Sequence, residues 1–239
     1  SSGSLVFAGL DALARQAPSG EAETHEALAR AMLHMFETRR VGFGDPGFVP
    51  LAASANESSE TTSLCTLDAT GNAACITYSN NNHSGVVVPG TGILLNNQMA
   101  LFSPWPNNPN EVIGGKRPVS SMMPTLLTHD GKVEMAIGAS GSTRIPTSLM
   151  QMLHRVLVQG KSIVDAVQEP KLHAEVESMM ADEDLQSITA LVAAKLDLDF
   201  RVSPGRDTTM GVVQAIHVGA GGLVTAIGDP RAKAQGRVR

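Results

Sequence analysis

The stretch ETTSLCTLD-ATG-NAACITYSNN (Glu60–Asn81) holds two runs of alternating residues around a turn. Asp68-Ala69-Thr70-Gly71-Asn72 carries turn chemistry, with Gly71 suited to the φ > 0 position of a three-residue loop. Closing that loop with Asp68 and Asn72 makes a hairpin. Leu67 then faces Ala73, Cys65 faces Cys75, Ser63 faces Thr77 and Thr61 faces Ser79. Opposed residues lie about 4.5–5.5 Å apart at their Cβ atoms, so the register sets a second hydroxyl beside Thr61. Asn81 points to the same face if the strand continues.

A threonine at the entrance of a strand has a specific chemistry open to it. Its Oγ can attack the carbonyl of the preceding residue, here Glu60. The peptide becomes an ester, water opens the ester, and Thr61 is left with a free α-amine. That amine can act as base for the residue's own hydroxyl. On these residues alone, an ordinary hairpin rich in Thr and Ser is the better explanation of the pattern.

Five further segments follow. They are SGVVVPGTGILLNNQMALFS (Ser84–Ser103), GKRPVSSMMPTLLTHDGK (Gly115–Lys132), GASGSTRIPTSLMQMLHRVL (Gly138–Leu157), DAVQEPKLH (Asp165–His173) and AIGDPR (Ala226–Arg231). In this order and spacing they resemble the γ-glutamyltransferase (γ-glutamyltranspeptidase) family of N-terminal-nucleophile hydrolases. SSGS at the start and GFGDPGFVP (Gly42–Pro50) look like the end of that family's large subunit. The chain therefore reads as a divergent member that lacks most of the large subunit.

The resemblance implies an α+β fold, a four-layer αββα sandwich. It implies one precursor cut before a Thr into two associated subunits. Residues 1–60 would be the C-terminal part of the large subunit, with a cut between Glu60 and Thr61. Residues 61–239 would be the small subunit with Thr61 as nucleophile. The remainder of the large subunit would be its partner in a heterodimer. Ser79 and Asn81 match positions that hold and tune the nucleophile. Ser120 and Ser121 match the pair that holds the donor's α-carboxylate. Gly141 and Ser142 match the Gly-Gly pair whose N–H groups form the oxyanion hole. No cofactor and no metal is expected.

The oxyanion match has physical sense of its own. Gly138–Arg144 precedes a helical pattern of Ile145, Leu149, Met152, Leu153 and Val156, with Pro146 suited to an early helical position. N–H groups at such a junction suit a developing negative charge. Ser142 departs from the family glycine and tolerates fewer backbone conformations.

A second departure bears on substrate. In the family the segment after LLNN usually runs Gln or Glu, Met, Asp, Asp, Phe, and its first and fourth members bind the donor's α-ammonium. Here it reads Gln98-Met99-Ala100-Leu101-Phe102. Replacing the carboxylate by Leu101 removes a hydrogen bond to a charged group worth about 1.5–3 kcal/mol, roughly 10–150-fold in binding. A small-molecule acyl donor other than glutathione is expected, with water or an amine as acceptor. Two other readings stand beside it. One is a secondary-metabolite hydrolase of the same family acting on a non-glutamyl acyl or C–C bond. The other is an inactive ligand-binding homologue.

Composition bounds the rest. The chain has 239 residues, 42% hydrophobic and 17% charged, enough for one core. A net charge of −5 argues against nucleic acid as partner. No apolar run reaches the ~18–20 residues of a membrane span, and no signal segment opens the chain. The compartment stays open between cytoplasm and periplasm or secretion. Seven scattered His and two Cys give no zinc spacing. Gly114-Gly115-Lys116 lacks the leading glycine of a phosphate loop. Cys65 and Cys75 are expected to point inward as small apolar groups.

Helical spacing covers residues 4–16 and 25–40, the second with Leu28, Met32, Met35 and Phe36 as one stripe and Thr24 as N-cap. Residues 40–59 read as irregular chain. Ser103–Glu111 reads as a loop that in the family covers the pocket, with Trp105 as its cover. Ser162 caps a short helix before Pro170, and Asp184–Leu196 gives an amphipathic helix containing Leu191. Gly211–Val218 and Leu223–Ile227 form a closing hairpin.

Overall fold

The computed structural model describes residues 2–42 and 60–238. The expectation of irregular chain over 40–59, and the GFGDPGFVP match, fall almost wholly outside the described residues. Two helices come first, α1 (Gly3–Gln16) and α2 (Glu21–Gly42). Thr24 does not cap α2. The helix starts at Glu21, and Ser19 donates from its N–H (3.0 Å) and its Oγ (2.7 Å) to Glu23, which ties down the chain ahead of the helix. Thr24 instead turns its hydroxyl back to the carbonyl of Gly20 at 2.8 Å.

The hairpin forms as read. Strands β1 (Glu60–Leu67) and β2 (Ala73–Asn81) pair with Thr61 opposite Ser79, Ser63 opposite Thr77 and Cys65 opposite Cys75. Asp68 holds the turn by accepting from the N–H groups of Thr70 and Asn72, at 2.8 and 2.9 Å. Strands β3 (Thr125–His129) and β4 (Lys132–Ser140) follow, then helices α3 (Arg144–Leu157) and α4 (Ile163–Gln168). Ser162 caps α4, its side chain accepting from the N–H of Asp165. Next come β5 (Leu172–Glu175), β6 (Ser178–Asp182), α5 (Gln186–Lys195), β7 (Asp199–Ser203), β8 (Val212–Val218) and β9 (Val224–Gly228). Leu191 of α5 is 73% exposed, so it does not belong to the buried stripe, which holds Thr189, Val192 and Ala193.

Strands β3-β4-β8-β9 form an antiparallel sheet, and β5-β6-β7 a smaller one. Period two decides what each strand face meets. Met135, Ile137 and Ala139 of β4 and Val213 and Ala215 of β8 enter the core with Leu149, Met150 and Met152 of α3 and Leu5, Met32 and Met35 of α1 and α2. Gly138, on the opposite face of β4, lies under Ser63 of the hairpin. Helices, four-stranded sheet and hairpin are thus stacked, the mixed helix and sheet expected for an αββα arrangement. The outward residues Leu64, Ile76 and Tyr78 of the hairpin are exposed among the described residues. No helix of the described residues is long and apolar enough to cross a membrane.

The motifs DAVQEPKLH and AIGDPR meet in a buried ion cluster. Lys171 Nζ donates to Asp229 Oδ2 at 2.7 Å and to the carbonyl of Gly211 at 2.8 Å. Arg231 pairs with Asp229 at 3.1 Å and also with Asp182. Burial alone would raise the Asp229 carboxyl, but Lys171 and Arg231 outweigh it and hold it below its ordinary value. The cluster anchors Gly211. A Cβ on Gly141 would come within 2.7 Å of Gly211 Cα, so the two backbones touch.

Candidate active site

Thr61 stands where β1 kinks. The pairing register shifts between Glu60 and Thr61, and opposite them Asn81 ends β2 with φ +55°. Three hydroxyl and carbonyl groups converge there. Thr61 Oγ1 donates to Ser79 Oγ at 3.0 Å. Ser79 Oγ donates to the carbonyl oxygen of Glu60 at 2.9 Å. The N–H of Asn81 donates to Ser79 Oγ at 2.9 Å. The group paired with Thr61 is therefore fixed on three sides. Asn81 itself is buried, its Nδ2 donating to the carbonyl of Asn97 at 3.1 Å.

Thr61, Ser79 and Asn81 line a cleft with Gln98, Leu101, Ser120, Met122 and Ile145. Its enclosed space is about 10 Å³, room for about one water. Gln98 and Leu101 sit on one 3₁₀ turn, Gln98–Leu101. Gln98 Nε2 donates to the carbonyl of Ser79 at 3.0 Å, and Leu101 is buried. The wall beside Thr61 thus carries an amide and three apolar side chains, Leu101, Met122 and Ile145.

The two serines separate. Ser120 lines the cleft, its Oγ accepting from the N–H of Met122 at 3.1 Å. Ser121 is fully buried, does not line the cleft, and accepts at 2.6 Å from Arg39 Nη1 of α2. Gly141 and Ser142 are likewise not among the cleft's lining residues. They border a second cavity of about 370 Å³ with Arg144, Thr208, Thr209, Val212 and Ala232. Gly141 has φ +127° and Ser142 φ +61°, a left-handed pair that starts α3, whose Ile145 does reach the cleft. Trp105 does not cover the site. Its loop is irregular and its ring is 73% exposed.

Sequence reasoning gave Met122, Ile145 and Arg39 no part in the site, and read Ile145 only as part of a helical stripe. The signal for Arg39 was present. It continues the stripe Met32, Met35, Phe36 at helical spacing, so it had to be buried.

A family model described as Gamma-glutamyltranspeptidase matches residues 50–238. The chain belongs to the gamma-glutamyltranspeptidase family. The glutathione hydrolase proenzyme of Escherichia coli (strain K12) is 30% identical over 263 residues, covering 89% of this chain and 44% of that protein. The acylase ACY 1 proenzyme of Pseudomonas sp. (strain SE83) is 30% identical over 186 residues, covering 65% of this chain and 33% of its own length. The chain thus spans less than half the length of these two relatives. A gamma-glutamyltranspeptidase of Pseudomonas nitroreducens, solved with L-DON, superimposes with a TM-score of 0.67 at 31% identity. That likeness covers 74% of this chain and 99% of the solved one.

Proposed function

We propose that this chain carries the nucleophile of a self-cleaving threonine amidohydrolase or acyltransferase. Its acyl donor bears a carboxylate, and Leu101 stands where a carboxylate would receive an α-ammonium. One observation carries the reading: the Glu60–Thr61 peptide is held within a hydroxyl pair, Thr61 to Ser79 to the Glu60 carbonyl.

The chemistry follows from that geometry. Thr61 Oγ1 attacks the Glu60 carbonyl carbon, and its proton passes to the Thr61 nitrogen as the C–N bond breaks. The Ser79 hydroxyl, already bonded to the carbonyl oxygen, stabilises the negative charge that develops there. Water then hydrolyses the ester, leaving a Glu60 carboxylate and a free Thr61 amine. Departure of Glu60 from Ser79 opens the narrow cleft. Residues 1–60 and 61–239 become separate chains, and the core shared by α1, α2 and α3 keeps them together.

In the mature protein the Thr61 amine takes the hydroxyl proton and Oγ1 attacks the donor's acyl carbon. The leaving amine departs with that proton. Water completes hydrolysis of the acyl-enzyme, or an amine completes transfer. Gly141 and Ser142 are assigned to the oxyanion through their N–H groups, and Ser120 to the donor carboxylate, with Ser121 behind it bonded to Arg39. Gln98 gives its amide to Ser79, and Leu101 offers an ammonium nothing, which argues against a γ-glutamyl donor. The likeness to an acylase supports donors beyond glutathione. The remaining part of a large subunit is the proposed protein partner.

Intact mass of the purified protein tests the first step. Two pieces split at Thr61 are expected, and one uncut chain for Thr61→Ala. Glutaryl-p-nitroanilide, which lacks the α-ammonium, should be turned over faster than γ-glutamyl-p-nitroanilide. An uncut, inactive parent protein refutes the reading and leaves the ligand-binding homologue in its place.

A further inference from the structure

We propose that Arg39 is a positioning residue for the carboxylate end of the substrate, holding Ser121 so that Ser120 is fixed in the cleft wall. The inference rests on the reading of Thr61 and Ser120 given above.

Arg39 is 3% exposed, on a helix face otherwise made of Met32, Met35 and Phe36. A guanidinium is costly to bury and persists only where its donors are used. Its Nη1 donates to Ser121 Oγ at 2.6 Å across 82 residues of chain. Ser121 is therefore committed inward, while its neighbour Ser120 meets the cleft. The backbone of this segment is held a second time, by Ser2 Oγ donating to the carbonyl of Ser120 at 3.1 Å.

Helix α2 also meets β5, where Phe36 packs edge-on against His173 with ring centroids 5.6 Å apart, and the charge of Arg39 acts on Glu175 of β5. Burial pushes the Glu175 carboxyl up. Its hydrogen bonds with His173 and Thr143, and the charge of Arg39, outweigh that and hold it below the ordinary range. Thr143 follows Ser142 directly. His173 Nε2 lies 3.2 Å from Glu175 Oε2, and its Nδ1 2.9 Å from Thr147 Oγ1 of α3. Helix α2 thus holds the segment of Ser120 through Arg39 and borders the start of α3 through Phe36 and His173. Displacing Arg39 should loosen the carboxylate seat without touching Thr61 or Ser79.

The test uses the full-length protein with two substrates, glutaryl-p-nitroanilide and butyryl-p-nitroanilide. The second lacks the carboxylate. Arg39→Met should raise KM for the glutaryl substrate about tenfold or more, with kcat and the butyryl kinetics nearly unchanged. Arg39→Lys should recover part of the loss, and Ser121→Ala should shift KM in the same direction. Equal loss on both substrates would mark Arg39 as merely structural and overturn the proposal, as would no change on either. If Arg39→Met does not fold, Ser121→Ala decides alone by the same split. A parent protein that neither cuts nor turns over either anilide fails the Thr61 reading instead. Amide hydrogen exchange then decides Arg39 separately in the uncut protein, read at the Met122 N–H that donates to Ser120 Oγ. Its protection should fall about tenfold with Arg39→Met while the amides of β1 and β2 keep theirs, and unchanged protection sinks the proposal.

Discussion

Gly138 of β4 lies so close under Ser63 of β1 that a Cβ at position 138 would stand 2.0 Å from Ser63 Oγ and 3.2 Å from Cys75 Sγ. The hairpin that carries Thr61 rests on the central sheet at this point. Gly138→Ala should therefore lift the hairpin, cost about 1–3 kcal/mol of stability, and slow cutting at Thr61. Ser63→Ala removes the clashing oxygen, so the double variant should regain much of the loss. Thermal unfolding and the rate of cleavage on a gel measure both effects.

Leu101 offers a direct test of specificity. Leu101→Asp puts a carboxylate on the turn that carries Gln98, beside the cleft. The ratio of kcat/KM for γ-glutamyl- over glutaryl-p-nitroanilide should rise by roughly 10–150-fold, the worth of one hydrogen bond to a charged group. The free variant should unfold at lower temperature, because the new carboxylate is buried without a partner until substrate arrives. An unchanged ratio would show that the ammonium is recognised elsewhere.

His173 makes stability depend on pH. Burial holds its imidazole below the ordinary 6.5, against the opposing pull of Glu175. The unfolded chain thus takes up a proton at His173 where the folded chain does not. The stabilisation is complete above pH 6.5 and falls away as pH drops from 6.5 towards the lower folded value. Melting temperature should decline over that window, and His173→Gln should flatten the decline. His154, also lowered by burial, leaves part of the slope in place.

The facing thiols of Cys65 and Cys75 lie 3.1 Å apart on the inner face of the hairpin. The hydrogen bond from Cys65 draws Cys75 down to about 7 and pushes Cys65 up. Cys75 is then the thiol that attacks first. Diamide, which accepts two electrons and two protons, should join the pair within one chain, detected as loss of two hydrogens in intact mass. Cross-linked dimers would mean that the two thiols do not meet.

Parts of the site were legible because they are local. Gly71 and the period-two alternation set the register that brings Ser79 to Thr61. The helix after Gly141 was legible from its apolar spacing. The start of α2 was misplaced because an N-cap is a contest between neighbouring polar side chains, and Glu23 won it with Ser19. Trp105 was misread because a loop residue's partner cannot be inferred from its neighbours in sequence.

By itself the sequence determined the hairpin, its facing pairs and an apolar side chain at Leu101, where the family resemblance implies a carboxylate. These depend on residues within about one turn or one strand of each other. The bonding of Arg39 to Ser121, the seat of Gly138 under Ser63 and the parting of the Gly141–Ser142 turn from the cleft's lining were decided only in three dimensions. Each joins elements far apart in the chain, and how closely layers pack depends on side-chain volumes from several segments at once.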